Sequence, residues 1–282
     1  MRGTRLKSLV ITLIIVIIGG LLAGCSKEAE KKPASDTQKK ELPSELKSMR
    51  KEIDKLISQL EQTAGIMSQC PESEQSGGSK EEKSQQGSSK EQDGQGSQSV
   101  GQESSNTQGQ WSQIREGVNK LHQNWNQTET IVVKEGLASE IRDGFENSLE
   151  ELTINVDQNS LEGSLLSALK AYGYYPEMVQ LFNSRIPAEY FGLKHRIMLI
   201  RYQSAQAKWV EAKAELPKLK TQWEILKKSE ALQDQEISQR TENSLKDLES
   251  AVSRQESCLV QVKSDIAFKN LDEIEKKLNS SI

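Results

Sequence analysis

The sequence predicts an all-α fold, a duplicated helical bundle of two three- or four-helix units with a long disordered loop. Three observations lead to this prediction. Apolar residues recur at steps of three and four over most of the chain after residue 44, which is the spacing of one helix face. The pattern of 110–183 returns in 208–282. A polar stretch almost without apolar side chains separates the first helix from the others.

Residues 1–24 have the pattern of a signal peptide. Arg2, Arg5 and Lys7 form a positive start, and the uncharged apolar run SLVITLIIVIIGGLLAG follows them. The run is nearly long enough to cross a bilayer, so an uncleaved transmembrane helix is the alternative. Both alternatives place the rest of the chain outside the cytoplasm.

The apolar run ends in Leu22-Ala23-Gly24-Cys25. These residues resemble the lipobox of bacterial lipoproteins, and the resemblance covers only the start of the chain. It implies cleavage between Gly24 and Cys25, a diacylglycerol thioether on Cys25, and acylation of the new N-terminus. The protein is then expected to be lipid-anchored at the extracytoplasmic side of the cell membrane.

A polar tether over 25–43 and an amphipathic helix over 44–69 are predicted next. Ser44 is expected to cap the helix. The apolar side chains share one stripe: Leu46, Met49, Ile53, Leu56, Leu60, Thr63 and Met67. Such a stripe needs a partner surface, and packing on the same chain is preferred over pairing with a second copy, which would make a homo-oligomer.

Residues 71–109 are rich in Gly, Ser and Gln, and they cannot bury enough apolar surface to offset the entropy of ordering. They are predicted to form a disordered loop, with a wall-embedded spacer as the functional alternative. Cys70 precedes this loop and Cys258 lies in a later helical pattern. A disulfide between them and two free thiols are both compatible with the sequence.

The internal duplication is visible in the letters ENSL, which occur at 146–149 and again at 242–245, an offset of 96. Apolar positions around both copies match at the same offset. Each copy indicates three helices: one that begins and ends in Trp, the ENSL helix, and a short closing helix. The four tryptophans are at core spacing: Trp111, Trp125, Trp209 and Trp223.

The boundaries of the closing helix differ between the copies. Gly173 and Pro176 mark its junction in the first, and Asn270 with Glu273 has capping-box spacing in the second. The connection 184–207 is also helical, with one helix expected from about Ala188 through Trp209. Because this helix precedes the second copy as 44–69 precedes the first, the arrangement favours two four-helix units.

The sequence shows no pattern of catalytic or metal-binding residues. His122 and His195 are outside the spacings of zinc and di-iron sites, and His195 is expected in the core. No phosphate-binding loop or nucleophile motif is present. We therefore expect no enzymatic activity, no cofactor and no metal. The formal net charge of −4 argues against nucleic-acid binding.

The polar face of the ENSL helix is the candidate partner surface, because the duplication repeats it. Its residues are Glu140, Asn147 and Glu151 in the first copy, and Glu236, Asn243 and Asp247 in the second. A solvated face without a partner is one alternative. A cation shared by Asn147 and Glu151 is another.

These observations favour a membrane-anchored, non-enzymatic helical interaction or scaffold module that binds a protein of the cell envelope. The alternative is a solute-, metal- or haem-binding lipoprotein, which would need a pocket lined by Trp, Tyr and His195. An enzyme that works with a partner is disfavoured, because no nucleophile is spaced to meet a base.

Overall fold

The computed structural model describes residues 39–65, 100–229, 232 and 234–280, with side chains from residue 108 onward in the second range. The helices are α1 (Ser44–Thr63), α2 (Val100–Lys134), α3 (Ser139–Asp157), α4 (Leu161–Gly173), α5 (Tyr175–Val179), α6 (Ala188–Ala205), α7 (Trp209–Lys228), α8 (Gln235–Arg254) and α9 (Ser257–Ser280). A parallel bridge joins Glu41 and Asn183. The described part of the chain is all-α, as predicted.

The helices pack as two sets of four with the same pattern of neighbours. In the first set, α1 packs on α2, α2 on α3, α3 on α4, and α4 returns to α1. In the second set, α6 packs on α7, α7 on α8, α8 on α9, and α9 returns to α6. Helix α1 therefore has the place in the first set that α6 has in the second.

The stripe of α1 lies in the core of the chain. Leu46, Met49, Ile53, Leu56 and Leu60 are fully buried. Full burial of one such side chain stabilises a fold by about 1.5 to 3 kcal/mol. The stripe therefore packs on the same chain, the arrangement that the sequence analysis preferred. The helix ends at Thr63, and Met67 lies outside the described residues.

The start of α1 differs from the prediction. Pro43 is at the N-cap position, and its side chain makes no capping hydrogen bond. Ser44 is the first helical residue, and its hydroxyl donates to Glu45 Oε2 at 3.1 Å. The predicted Ser44 cap is wrong because Pro43, with its ring-restricted φ of −59°, takes the extended conformation of the cap residue.

Matching positions of the duplication lie in equivalent places in the two sets. Leu152 and Leu248 are both fully buried, on α3 and α8. Two further matched pairs are also buried: Val156 with Val252, and Ala171 with Ala267. The same apolar pattern therefore builds the same packing twice.

The connection between the two sets is not the single helix predicted from about Ala188 through Trp209. Helix α6 ends at Ala205 and α7 begins at Trp209. Ala207, between them, has a φ of 53°, and a left-handed residue terminates an α-helix. Pro217 lies inside α7 at an exposed position, where water can reach the carbonyl that loses its backbone partner.

The closing helix is separate only in the first copy. Helix α4 ends at Gly173 and α5 begins at Tyr175, whereas α9 runs unbroken through Asn270. Asn270 does not cap a helix there; its Nδ2 donates to Ser244 Oγ on α8 at 3.1 Å. The reason is local, since Gly173 and Pro176 disfavour a continuous helix and the second copy has Lys269 and Asp272 at the matching positions.

Several predicted segments lie outside the described residues. These are the signal peptide 1–24, the tether up to residue 38, and residues 71–99 of the predicted loop. The rest of that loop belongs to α2, which begins at Val100 rather than 110. A formed helix extends readily into Gln- and Glu-containing sequence, because propagation costs less than nucleation. Within the part that the structure describes, no helix has the length and apolar character to cross a membrane.

Cys258, near the start of α9, is disulfide-bonded. The pairing with Cys70, which the sequence left open, concerns a residue outside those described. Cys258 is therefore not a free thiol in the structure.

Candidate functional site

The candidate partner surface is exposed in both copies. Helix α3 carries Glu140, Asn147 and Glu151, and all three side chains are exposed. Helix α8 carries Glu236, Asn243 and Asp247, which are exposed as well. Their helices bury the opposite side, including Leu152 and Leu248. The rotation of both helices therefore follows the apolar stripe.

Part of this surface is occupied by ion pairs within each set. Lys170 Nζ on α4 donates to Glu151 Oε2 at 2.8 Å, and Lys263 Nζ on α9 donates to Asp247 Oδ2 at 2.7 Å. The acids at the two matching positions thus pair with a lysine on the following helix. Asn243 Oδ1 accepts a hydrogen bond from Gln239 at 3.0 Å. Asn147 has its amide on the exposed face of α3, open to solvent.

The two histidines have different surroundings. His195 on α6 is buried, as predicted, and is hydrogen-bonded to the backbone of Leu169. Burial and the nearby positive charge of Arg196 lower its pKa to about 4. The ring is therefore neutral at pH 7. His122 is half-buried, with Nε2 2.8 Å from the Thr153 hydroxyl.

The tryptophans contribute mainly to packing. Trp111, Trp125 and Trp223 are buried, whereas Trp209 is half-buried. The ring of Trp125 lies 4.5 Å from that of Phe145, and its Nε1 donates to Glu146 Oε1 at 3.1 Å. This is the usual pattern for a core indole, whose ring packs while its N–H reaches a partner at the edge.

A cluster of charged groups joins α1, α6 and α9. Arg50 donates to Asp54 Oδ2 at 3.0 Å and to Glu275 Oε1 at 2.8 Å. Lys194 Nζ lies 3.0 Å from Asp54 Oδ1. The Tyr190 hydroxyl donates to Glu275 Oε2 at 2.9 Å. Burial and the Glu275 carboxylate raise the pKa of Tyr190, so this donor stays protonated.

A recess of about 480 Å³ opens beside this cluster. Its walls come from residues 41–42, α1, α5, the connection 183–186, α6 and α9. The rings of Tyr175 and Phe191 form part of the lining and meet edge to face, with centroids 4.8 Å apart. The other lining side chains are mostly polar or charged, which suits a hydrophilic ligand rather than an apolar one.

A second buried charge lies at the opposite end of α6. Arg201 is only 4% exposed. It donates from Nη1 to Asp265 Oδ1 at 2.7 Å, and its Nε lies 3.7 Å from Glu61 Oε1. Burial raises the pKa of Glu61 although Arg201 opposes the shift. The arrangement joins the end of α1 to α6 and α9, and its partners lie in these helices rather than in an open site.

Both charged clusters were missed in the sequence. A signal existed for Arg201, because it interrupts the apolar run of α6 and a charge on a buried stripe needs a partner. For Arg50 and Asp54 the spacing of four residues on α1 indicated only a local pair. Their long-range partners Lys194 and Glu275 have no sequence signal, since they come from other helices.

Within the described ranges, no group of three or more His, Cys, Asp or Glu side chains is placed to hold a metal ion. The candidate sites are therefore the exposed polar rows of α3 and α8 and the recess between α1 and α9.

In comparisons with other proteins, no family model, no curated protein and no solved structure matches this chain.

Proposed function

We propose that the protein is a lipoprotein of the cell membrane, anchored on the extracytoplasmic side through Cys25, whose helical bundle is a non-enzymatic interaction or scaffold module. The anchor rests on Leu22-Ala23-Gly24-Cys25 after a positive start and an apolar run. One acyl chain holds a protein only marginally on a membrane, so the proposed form carries more than one.

One observation supports an interaction module over a binder of haem or another apolar solute. His195, the imidazole that such a pocket would use, and the neighbouring Tyr172 are inside the core. Tyr172 is fully buried, and its ring lies 6.0 Å from that of buried His195. Gly173 leaves no room beside that ring, because a Cβ there would be 2.7 Å from His195 Cε1. These groups are packed against one another rather than around a cavity.

The proposed partner surface is the exposed row repeated on α3 and α8. Its acids at Glu151 and Asp247 are paired with lysines, and the Asn243 oxygen accepts a hydrogen bond from Gln239, so the Asn147 amide and the Asn243 NH2 group are open to a partner. A side-chain amide both donates and accepts hydrogen bonds, which suits recognition of a neighbouring helix or strand of an envelope protein. Asn147 and Asn243 are both exposed and lie at matching positions of α3 and α8, so each can donate to a partner from its NH2 group.

The test is cross-linking in intact cells that produce the full chain, followed by its purification. The amount of a defined envelope partner cross-linked to the Asn147→Ala/Asn243→Ala variant should be at least about fivefold lower than the amount cross-linked to the wild type. Asn119→Ala/Asn126→Ala is the matched control, because both residues are exposed asparagines on α2. Equal capture by the wild type and the α3/α8 variant would show that the polar row does not bind the partner. Unfolding midpoints that match wild type show that the fold is kept.

A further inference from the structure

The recess beside α1 has a chemistry that the proposed function does not use. Its charged lining comprises the cations Lys47, Arg50, Lys51 and Arg185 and the carboxylates Glu41 and Glu275. The guanidinium of Arg50 is already bound to Glu275. With four cations and two carboxylates, the lining has an excess of positive charge in a protein whose net charge is negative.

The two lysines concentrate this charge on one side of α1. Both are exposed, and neither has an ion-pair partner in the part of the chain that the structure describes. They are four residues apart, so they lie on the same helix face, where like charges repel. Their Cα atoms are about 6 Å apart along the axis, which lets each ammonium meet a different acidic group of one small molecule.

The start of α1 lies beside the recess. The first amide groups of a helix have no acceptor within it, and the macrodipole makes this end attractive to anions. Pro43 supplies no side-chain cap here. Leu42 and Lys47, on either side of this end, both line the recess. Glu45 in the first turn carries the opposite charge, so the positive charge of the recess comes from its lysines and Arg185 rather than from the helix end.

Arg185 completes the arrangement from the connection before α6. Its Nη1 is 3.5 Å from the backbone oxygen of Asn279, a long contact for a guanidinium group. The other nitrogens can serve as a fork for a carboxylate or a phosphate, the geometry for which arginine is suited. The recess volume, about 480 Å³, is within the range of small-molecule sites.

We propose that this recess binds a compact oxyanion with two or more acidic groups, carboxylate or phosphate, held by Lys47, Lys51 and Arg185. This inference does not rest on the scaffold function, because the recess is on α1, α5, α6 and α9 rather than on the polar rows of α3 and α8. A ligand with one acidic group could engage only part of the cation set.

The test is calorimetric titration of the full chain in detergent, at low ionic strength, with citrate, with pyrophosphate and with acetate. Citrate or pyrophosphate should bind at one site with a dissociation constant on the order of 1 mM or tighter. Acetate should bind far more weakly. Raising the salt about tenfold should weaken binding, since mobile ions screen exposed charges. Tighter binding of citrate would identify carboxylates as the preferred acidic groups, and tighter binding of pyrophosphate would identify phosphates.

Two variants with the same change in net charge provide the control. Lys47→Gln/Lys51→Gln should weaken binding at least about fivefold. Lys213→Gln/Lys220→Gln should leave it unchanged, because these exposed lysines are on α7, which does not line the recess. Helical content by circular dichroism should match wild type in both, as all four side chains are exposed.

Three results would overturn the proposal. The first is no saturable binding of either polyvalent anion by wild type. The second is equal affinity of Lys47→Gln/Lys51→Gln and wild type. The third is equal weakening by the α7 control, which would assign the effect to overall charge. None of these results bears on partner capture by α3 and α8.

Discussion

Arg50 and Glu275 are 225 residues apart in the sequence, and their side chains are joined by a hydrogen bond of 2.8 Å. The contact connects α1, the first helix of one set, to α9, the last helix of the other. Both side chains are mostly buried, at 14% and 17% exposed. Arg50 also lies over the ring of Phe191, 5.5 Å from its centroid. The pair therefore joins the two halves of the duplication through a desolvated contact.

Replacing Glu275 with Gln should destabilise the protein by about 2 kcal/mol, because it leaves the buried guanidinium of Arg50 with one carboxylate instead of two. The change keeps the size of the side chain, so packing is little affected. Urea unfolding followed by circular dichroism measures the loss.

Glu249→Gln is the control, since Glu249 is an exposed acid on α8. It should change the free energy of unfolding by less than about 0.5 kcal/mol. If both variants have the same stability, the contact between Arg50 and Glu275 contributes nothing measurable.

The stability of the protein should depend on pH through His195. Its pKa falls from 6.5 to about 4 on folding, because the buried ring disfavours the charged form. Above pH 6.5 the ring is neutral in both states, and between pH 6.5 and about 4 the unfolded state binds a proton that the folded state does not, so the free energy of unfolding falls as the pH is lowered through this window. The contribution of His195 should decrease by about 2 kcal/mol between about pH 7.5 and about pH 5.

The measurement is the difference in unfolding free energy between these two pH values. A His195→Gln variant should lack this part of the decrease, whereas His122→Gln keeps His195 and should keep it. An undiminished decrease in His195→Gln would assign the acid sensitivity to other groups.

The packing of α1 on α2 should be sensitive to one methyl group. A Cβ at Gly117 would lie 2.7 Å from Leu56 Cδ2, and Leu56 is fully buried. Overpacking costs about 1 to 3 kcal/mol, and the gain in helix propensity offsets about 1 kcal/mol of it. Gly117→Ala should therefore destabilise the protein by about 1 kcal/mol, as measured by chemical unfolding.

Gly109→Ala is the matched control within the same helix. A Cβ at Gly109 meets nothing within 4 Å. This variant should be unchanged or more stable by about 0.5 to 1 kcal/mol. Equal effects of the two substitutions would contradict the close contact between α1 and α2.

Cys25 should carry the lipid. Metabolic labelling with a clickable fatty acid should mark the wild type, and Cys25→Ala should remain unlabelled, because it lacks the thiol to which the diacylglycerol is attached. The variant should also lose the membrane attachment that paired acyl chains provide. Equal labelling of the two proteins would show that the lipobox assignment is wrong.

On the ENSL helices, the spacing of apolar residues was enough to predict which side is exposed. The spacing of Leu149 and Leu152 places them on one side of α3, which is buried, and Asn147 on the other side is exposed. The local boundaries were less predictable. Asn270 has the spacing of a cap yet lies inside α9, because the same short pattern is compatible with a buried amide bonded to Ser244.

The sequence by itself determined the all-α class, the duplication and the buried stripes, because these depend on residue spacing within one segment. Only the tertiary structure decided that Arg50 meets Glu275, that Arg201 lies between Glu61 and Asp265, and that Lys47, Lys51 and Arg185 line one recess. Contacts of this kind depend on how helices distant in sequence are rotated and placed against one another. A charged side chain has the same sequence signal whether it faces water or a partner on another helix, so its environment is set by packing.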